Sequence, residues 1–98
     1  MAVKDFEDYY NQEELQYLEM LEEAKDLEDA YRAGEISEES YEQAIKNIEV
    51  VKINHQRLSY VMFLLKKRKK YTKKYSVAKE ELSENASAIS ELKSIRKD

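Results

Sequence analysis

One glycine and no proline in 98 residues constrain this chain more than any other feature. Sheets and loop-rich enzymes turn often, and turns draw on Gly, Pro and Asn. A chain with a single such break must run in long helices joined by few connections. Helices have to bury an apolar stripe, so they pack on one another. Charged residues make up 39% of the chain, well above the usual ~25%, which suits helices whose outer faces lie in water. The expected fold class is all-α: an antiparallel helical hairpin with a long, coiled-coil-like second helix and a C-terminal helical segment. Ninety-eight residues make one small domain, able to bury roughly two-thirds of its unfolded surface.

The single break is legible. An acidic first helix is expected over about residues 8–33, with apolar positions at Tyr10, Tyr17, Leu18, Met20, Leu21, Ala24, Leu27 and Tyr31. Its other face reads as acidic, from Glu13, Glu14, Glu19, Glu22, Glu23, Asp26 and Asp29. Ala33-Gly34 forms a C-terminal cap, because glycine tolerates the left-handed conformation that ends helices. Ser37 is a good N-cap, with Glu38 and Glu39 in the first turn where the helix dipole favours them. Ile36 and Tyr41 occupy the two positions of a hydrophobic staple. So short a connection makes its two helices antiparallel neighbours.

The second helix is expected over residues 37–70 and carries the best heptad pattern. One seam position reads Tyr41, Ile48, His55, Met62; the other reads Ala44, Val51, Leu58, Leu65. A second apolar set, Val50, Ile53, Tyr60 and Leu64, lies off this seam. Residues 58–65 are apolar nearly all round. One neighbouring helix covers only one of these faces, so something else must cover the other. Self-association into a homodimer or higher oligomer is expected there, through Ile48, Val51, His55, Leu58, Met62 and Leu65. Beyond residue 65 the chain turns basic, then becomes periodic again at Ala78, Leu82, Ile89 and Leu92. Residues 76–96 are expected to form a C-terminal helix or the continuation of the second.

Charge is laid out unevenly. Residues 1–42 carry three basic and fifteen acidic residues, a net of −12. Residues 43–98 carry fourteen basic and six acidic residues, a net of +8. Such a chain folds acid onto base, pairs with a copy of itself, or offers a partner two opposite faces. The acidic face at Glu19, Glu22, Glu23 and Asp26 is one candidate partner surface, for a basic protein or as a mimic of nucleic acid. The basic run is the other: Lys66, Lys67, Arg68, Lys69, Lys70, Lys73 and Lys74 would grip phosphates while Tyr71 stacks on bases. The overall pI of about 5.2 counts against this, since nucleic-acid binders are typically basic as a whole. Pairing of the basic run with the acids is therefore favoured over nucleic acid.

No catalytic motif is present: there is no Gly-rich phosphate loop, nucleophile elbow or Ser/His/Asp set. The absence of cysteine removes disulfides, thiolate metal sites and cysteine nucleophiles, and fits a reducing cytoplasm. His55 is the only histidine, so it is read as a hydrogen-bonded seam residue whose charging would cost stability. The carboxylate pairs lack the Glu-x-x-His spacing of di-metal bundles, and most are expected on the outward face. Eight tyrosines against two phenylalanines suit interfaces and wet seams. Neither an enzyme nor a cofactor or metal is expected. The N-terminal Met-Ala-Val-Lys-Asp-Phe-Glu-Asp is acidic and lacks an apolar run, so no signal peptide is expected. No apolar stretch approaches the ~18 residues a membrane span needs. A soluble, cytoplasmic protein follows.

Residues 27–44, Leu-Glu-Asp-Ala-Tyr-Arg-Ala-Gly-Glu-Ile-Ser-Glu-Glu-Ser-Tyr-Glu-Gln-Ala, resemble the helix-Gly-Ile-(Ser/Thr)-Glu-Glu-x-(Tyr/Phe)-Glu hairpin of the short C-terminal (SHOCT-type) oligomerisation domains. The resemblance implies a helical hairpin that associates with copies of itself. The size and the Lys/Glu/Tyr/Ile-rich composition are also similar in style to small accessory proteins of bacteriophages and mobile elements from AT-rich Gram-positive hosts. The expected function is a protein–protein interaction module: an adaptor, assembly factor or inhibitor binding itself and a host or viral protein. The alternatives are a nucleic-acid-binding accessory protein and an acidic inhibitor that mimics nucleic acid.

Overall fold

The described residues form three helices: α1 (Val3–Arg32), α2 (Glu38–Arg68) and α3 (Tyr75–Arg96). The computed structural model describes the backbone over residues 3–68 and 75–96, and side chains over residues 6–66 and 78–95. The fold is all-α, with α1 and α2 forming the antiparallel hairpin. α3 runs back along both, antiparallel to α2 and parallel to α1. Every helix packs on the other two, giving an up-down-up bundle of 49 × 19 × 17 Å. Thirty residues of helix at ~1.5 Å each account for the long dimension.

The hairpin closes through local chemistry. Gly34 takes φ +76°, the left-handed conformation that glycine adopts without a Cβ penalty. The amide of Glu35 then donates to the Ala30 carbonyl (2.8 Å) and the amide of Gly34 to the Tyr31 carbonyl (3.0 Å). This pair of bonds is the Schellman motif, and it satisfies carbonyls that the helix end would otherwise orphan. Three residues on, the Ser40 amide donates to Ser37 Oγ (3.1 Å), so Ser37 is the N-cap of α2. Tyr31 and Tyr41 stack across the turn, ring centroids 4.3 Å apart and 1° from parallel.

Each helix turns a heptad seam inward. In α1 it runs Phe6, Tyr10, Glu13, Tyr17, Met20, Ala24, Leu27, in alternating steps of four and three. In α2 it is the expected seam from Ala44 to Leu65. In α3 it is Ala78, Glu81, Asn85, Ala88, Ile89, Leu92. The seams meet in two apolar clusters. Phe6, Leu58, Val61, Met62, Leu65 and Ala78 fill one end of the bundle. Met20, Leu27, Ala44, Val51, Ala88, Ile89 and Leu92 fill the other.

Two expectations are corrected here. α1 begins at Val3, earlier than residue 8, because Phe6 is fully buried against α2 and α3 and draws the first turn into the bundle. α3 is a separate helix folded back onto α2, not a continuation of it, and covers part of the α2 surface that α1 leaves open, while the off-seam residues Val50, Ile53 and Tyr60 stay exposed. Residues 69–74 lie outside the described residues.

Candidate interaction surface

Between the two apolar clusters lies a polar layer built from one seam residue of each helix: Glu13, His55 and Asn85. Glu13 is fully buried, and its Oε1 lies 2.6 Å from His55 Nδ1. Asn85 Nδ2 donates to Glu13 Oε2 (3.3 Å) and to Gln16 Oε1 (3.1 Å). Gln16 Nε2 donates to the Leu82 carbonyl (3.0 Å). Buried Asn54 donates to Asn85 Oδ1 (3.0 Å) and to Glu84 Oε1 (3.2 Å). Tyr17 roofs the layer, its ring stacked on His55 at 4.0 Å and 9°. Burial pushes the Glu13 carboxyl above the ordinary carboxylate value of 4.5, and its contacts with His55 and Asn85 only partly offset this.

The layer sets alignment. A slip of one heptad, about 10.5 Å along a helix, would carry Glu13 among apolar side chains. An unpaired buried polar group costs about 1–3 kcal/mol, and more when charged. The Glu13 carboxylate has no exposed surface, whereas the His55 side chain beside it is 24% exposed. Among the described residues no group of three or more His, Cys, Asp or Glu side chains is placed to hold a metal ion. No helix among them is long and apolar enough to cross a membrane.

The outer surface is where large apolar side chains remain exposed. α1 presents Leu15, Leu18 and Leu21; α2 presents Ile45, Val50, Ile53, Tyr60 and Phe63. Leu18 is 57% exposed, Ile53 45% and Tyr60 63%. Leu21 and Ile45 flank one shallow groove between α1 and α2, floored by Met20, Ala24 and Ile48. The groove between α2 and α3 is open and lined by residues such as Gln43, Lys46, Asn47, Val50, Ser83 and Ser87.

Against this geometry, the expected site residues divide. Val51, Leu58, Met62 and Leu65 are buried inside the chain, and Ile48 and His55 are half-buried. The seam offered above for self-association is thus occupied by α1 and α3. The off-seam residues Val50, Ile53 and Tyr60 remain open instead. The acidic quartet is also divided: Glu22 and Asp26 are exposed, Glu19 forms a 2.7 Å ion pair with Lys93 of α3, and Glu23 is buried at 8% exposure. Glu13 and Glu23 thus face inward, not onto the acidic outer face expected for them. Of the basic run, Lys66 is exposed near the end of α2. The side chains of Lys67, Arg68, Lys69, Lys70, Tyr71, Lys73 and Lys74 lie outside the described residues.

Asn54 and Asn85 were not singled out from the sequence, and Glu13 was read only as part of the acidic outer face. The signal existed for two of them: Glu13 stands four residues before Tyr17 and seven before Met20, and Asn85 four before Ile89 and seven before Leu92. Periodicity places each on a buried stripe, and residue type argued against it.

The chain matches no family model, no curated protein and no solved structure. The hairpin resemblance of residues 27–44 therefore rests on its cap chemistry.

Proposed function

We propose that this protein is a small helical protein–protein interaction module, an adaptor, assembly factor or inhibitor working in the cytoplasm through helix–helix packing. The observation that carries the reading is the exposed apolar face of α1 and α2, from Leu18 and Leu21 to Ile45, Ile53 and Tyr60. On α2 the exposed residues from Ile45 to Tyr60 extend along about 22 Å of helix. Single surface leucines need no explanation, but this many large exposed apolar side chains on two adjoining helices favour an interaction surface. The polar layer beneath holds α1 and α2 in one alignment, so the face is preorganised for a partner.

The test is capture from lysate with immobilised wild type and with a Leu18→Lys/Tyr60→Lys variant. Both positions are exposed, so the variant should keep its helical circular dichroism. Proteins held by the wild type and released by the variant are the expected result. Equal capture by both would remove the face from the function.

A further inference from the structure

We propose that α3 is a releasable cover of the α1/α2 hairpin, and that its release is coupled to loss of a proton from the Glu13 carboxyl. The inference concerns the inner side of the hairpin and is independent of the outer apolar face.

The helices do not hold Glu13 in the same way. α2 presents His55 Nδ1 to Oε1 at 2.6 Å, and Tyr17 of α1 stacks on the same imidazole. Both partners belong to the hairpin, which its Schellman stop and the Tyr31–Tyr41 stack hold together. α3 covers the other oxygen, reaching Oε2 through the Asn85 amide at 3.3 Å. Lifting α3 opens the Oε2 side to water and leaves the His55 contact in place. Docking α3 desolvates the carboxyl, and burying a carboxylate costs more than burying the neutral acid.

The surrounding charges point the same way. α1 adds Glu14, the next residue along. α3 brings buried Glu81, one turn before Asn85, and Glu84, which Asn54 bonds at 3.2 Å. α2 faces the carboxyl with His55, while its Lys52 and Arg57 are exposed. On α3, Lys79 lies 6.0 Å over the Tyr9 ring and Lys93 pairs with Glu19. α3 thus carries acid toward an acid, which an ionised Glu13 opposes. The raised pKa of Glu13 has the matching sign: the docked form holds the proton more tightly, so docking weakens as pH rises above 4.5.

α3 is also the helix that is easiest to lift. Two of its four buried apolar residues, Ala78, Ala88, Ile89 and Leu92, are alanines. Those of α1 and α2 include Phe6, Met20, Leu27, Leu58, Met62 and Leu65. Much of the remaining hold on α3 is polar, through Asn85, the Leu82 carbonyl and Lys93, and water replaces such bonds at small net cost. Release exposes the inner side of both apolar clusters while the hairpin persists.

The test is native-state hydrogen exchange of the full chain, read as protection factors helix by helix from pH 4.5 upward. The α3 amides should open together, at lower protection than the core of α2. Their protection should fall as pH rises, by up to about tenfold per pH unit until Glu13 is fully ionised. Glu13→Gln should remove that pH dependence. Gly34→Val strains a turn that the docked and released forms share, so it should lower protection in α1 and α2 and leave that of α3 unchanged. Equal wild-type protection in all three helices overturns the inference. So does an α3 protection that is constant with pH, a pH dependence that survives Glu13→Gln, or an equal loss in all three helices on Gly34→Val.

Discussion

His55 Nδ1 lies 2.6 Å from Glu13 Oε1, although 42 residues separate them. The contact joins the seams of α1 and α2, and Asn85 brings in the third helix through the other oxygen of the same carboxylate. One buried carboxylate therefore senses the placement of all three helices.

Burial raises the Glu13 pKa above 4.5, which ties stability to pH. A raised folded-state pKa gives a contribution fully present below the unfolded value and lost as pH rises through the folded one. Glu13→Gln keeps the shape and removes the titration. Relative to this variant, the wild type should lose stability as pH rises above the ordinary carboxylate value of 4.5. Urea midpoints above that value measure it, and a constant difference between the two proteins would refute the assignment.

Asn85→Ala removes the donor to Glu13 and Gln16 and the acceptor of Asn54 together. The expected loss is about 1–3 kcal/mol or more, because buried partners are left unpaired. Ser87→Ala, on the exposed side of the same helix, should change stability by less than about 0.5 kcal/mol. Equal effects in urea denaturation would mean the layer is not structural.

Leu27 and Leu18 are the same residue type on the same helix, one fully buried and one 57% exposed. Leu27→Ala should cost about 2–5 kcal/mol through lost burial and the cavity left behind. Leu18→Ala should leave monomer stability within about 0.5 kcal/mol. Chemical denaturation of dilute protein separates them. A large loss at Leu18 would place that side chain in the core.

A Cβ at Gly34 would meet nothing within 4 Å, so any penalty there comes from φ +76° and not from a clash. Gly34→Val should cost on the order of 1–2 kcal/mol, since β-branched residues resist the left-handed region. Gly34→Asn should cost less, as asparagine tolerates that region better. An unchanged melting temperature for Gly34→Val would mean that α1 does not need this cap.

The basic run is expected to grip nucleic acid only loosely. α1 brings exposed Glu7 and Asp8 to the end of the bundle where α2 runs into the run, since Phe6 and Leu65 share a cluster there. Labelled single- and double-stranded DNA and RNA, titrated at near-physiological salt, should bind weakly. Submicromolar binding abolished by Lys66, Lys67, Lys69 and Lys70→Glu, with a steep salt slope of ~0.7–0.9 per phosphate, would favour the nucleic-acid alternative.

The sequence by itself determined what depends on neighbours a few residues away. The Schellman stop at Gly34, the Ser37 cap, the tyrosine at the staple position and the seam of α2 are local interactions or simple periods, and each is where its residues place it. The tertiary structure decided which stripe of each helix turns inward. α1 carries two apolar sets; Tyr10, Tyr17, Met20 and Leu27 face the core, whereas Leu15 and Leu18 face out, because only the first set lies toward both neighbours. Glu13 lies in the inward stripe because His55 and Asn85 arrive at its level to bond it, a partnership no single helix reveals. The return of α3 was equally hidden. Half of its stripe is Ala78, Ala88 and Asn85, too weak to announce a core face. It folds back because α1 and α2 leave a polar and apolar groove that its Asn85, Ile89 and Leu92 fill. Burial belongs to the assembled set of helices, and a period measured along one helix shows which residues share a face but not which face is covered.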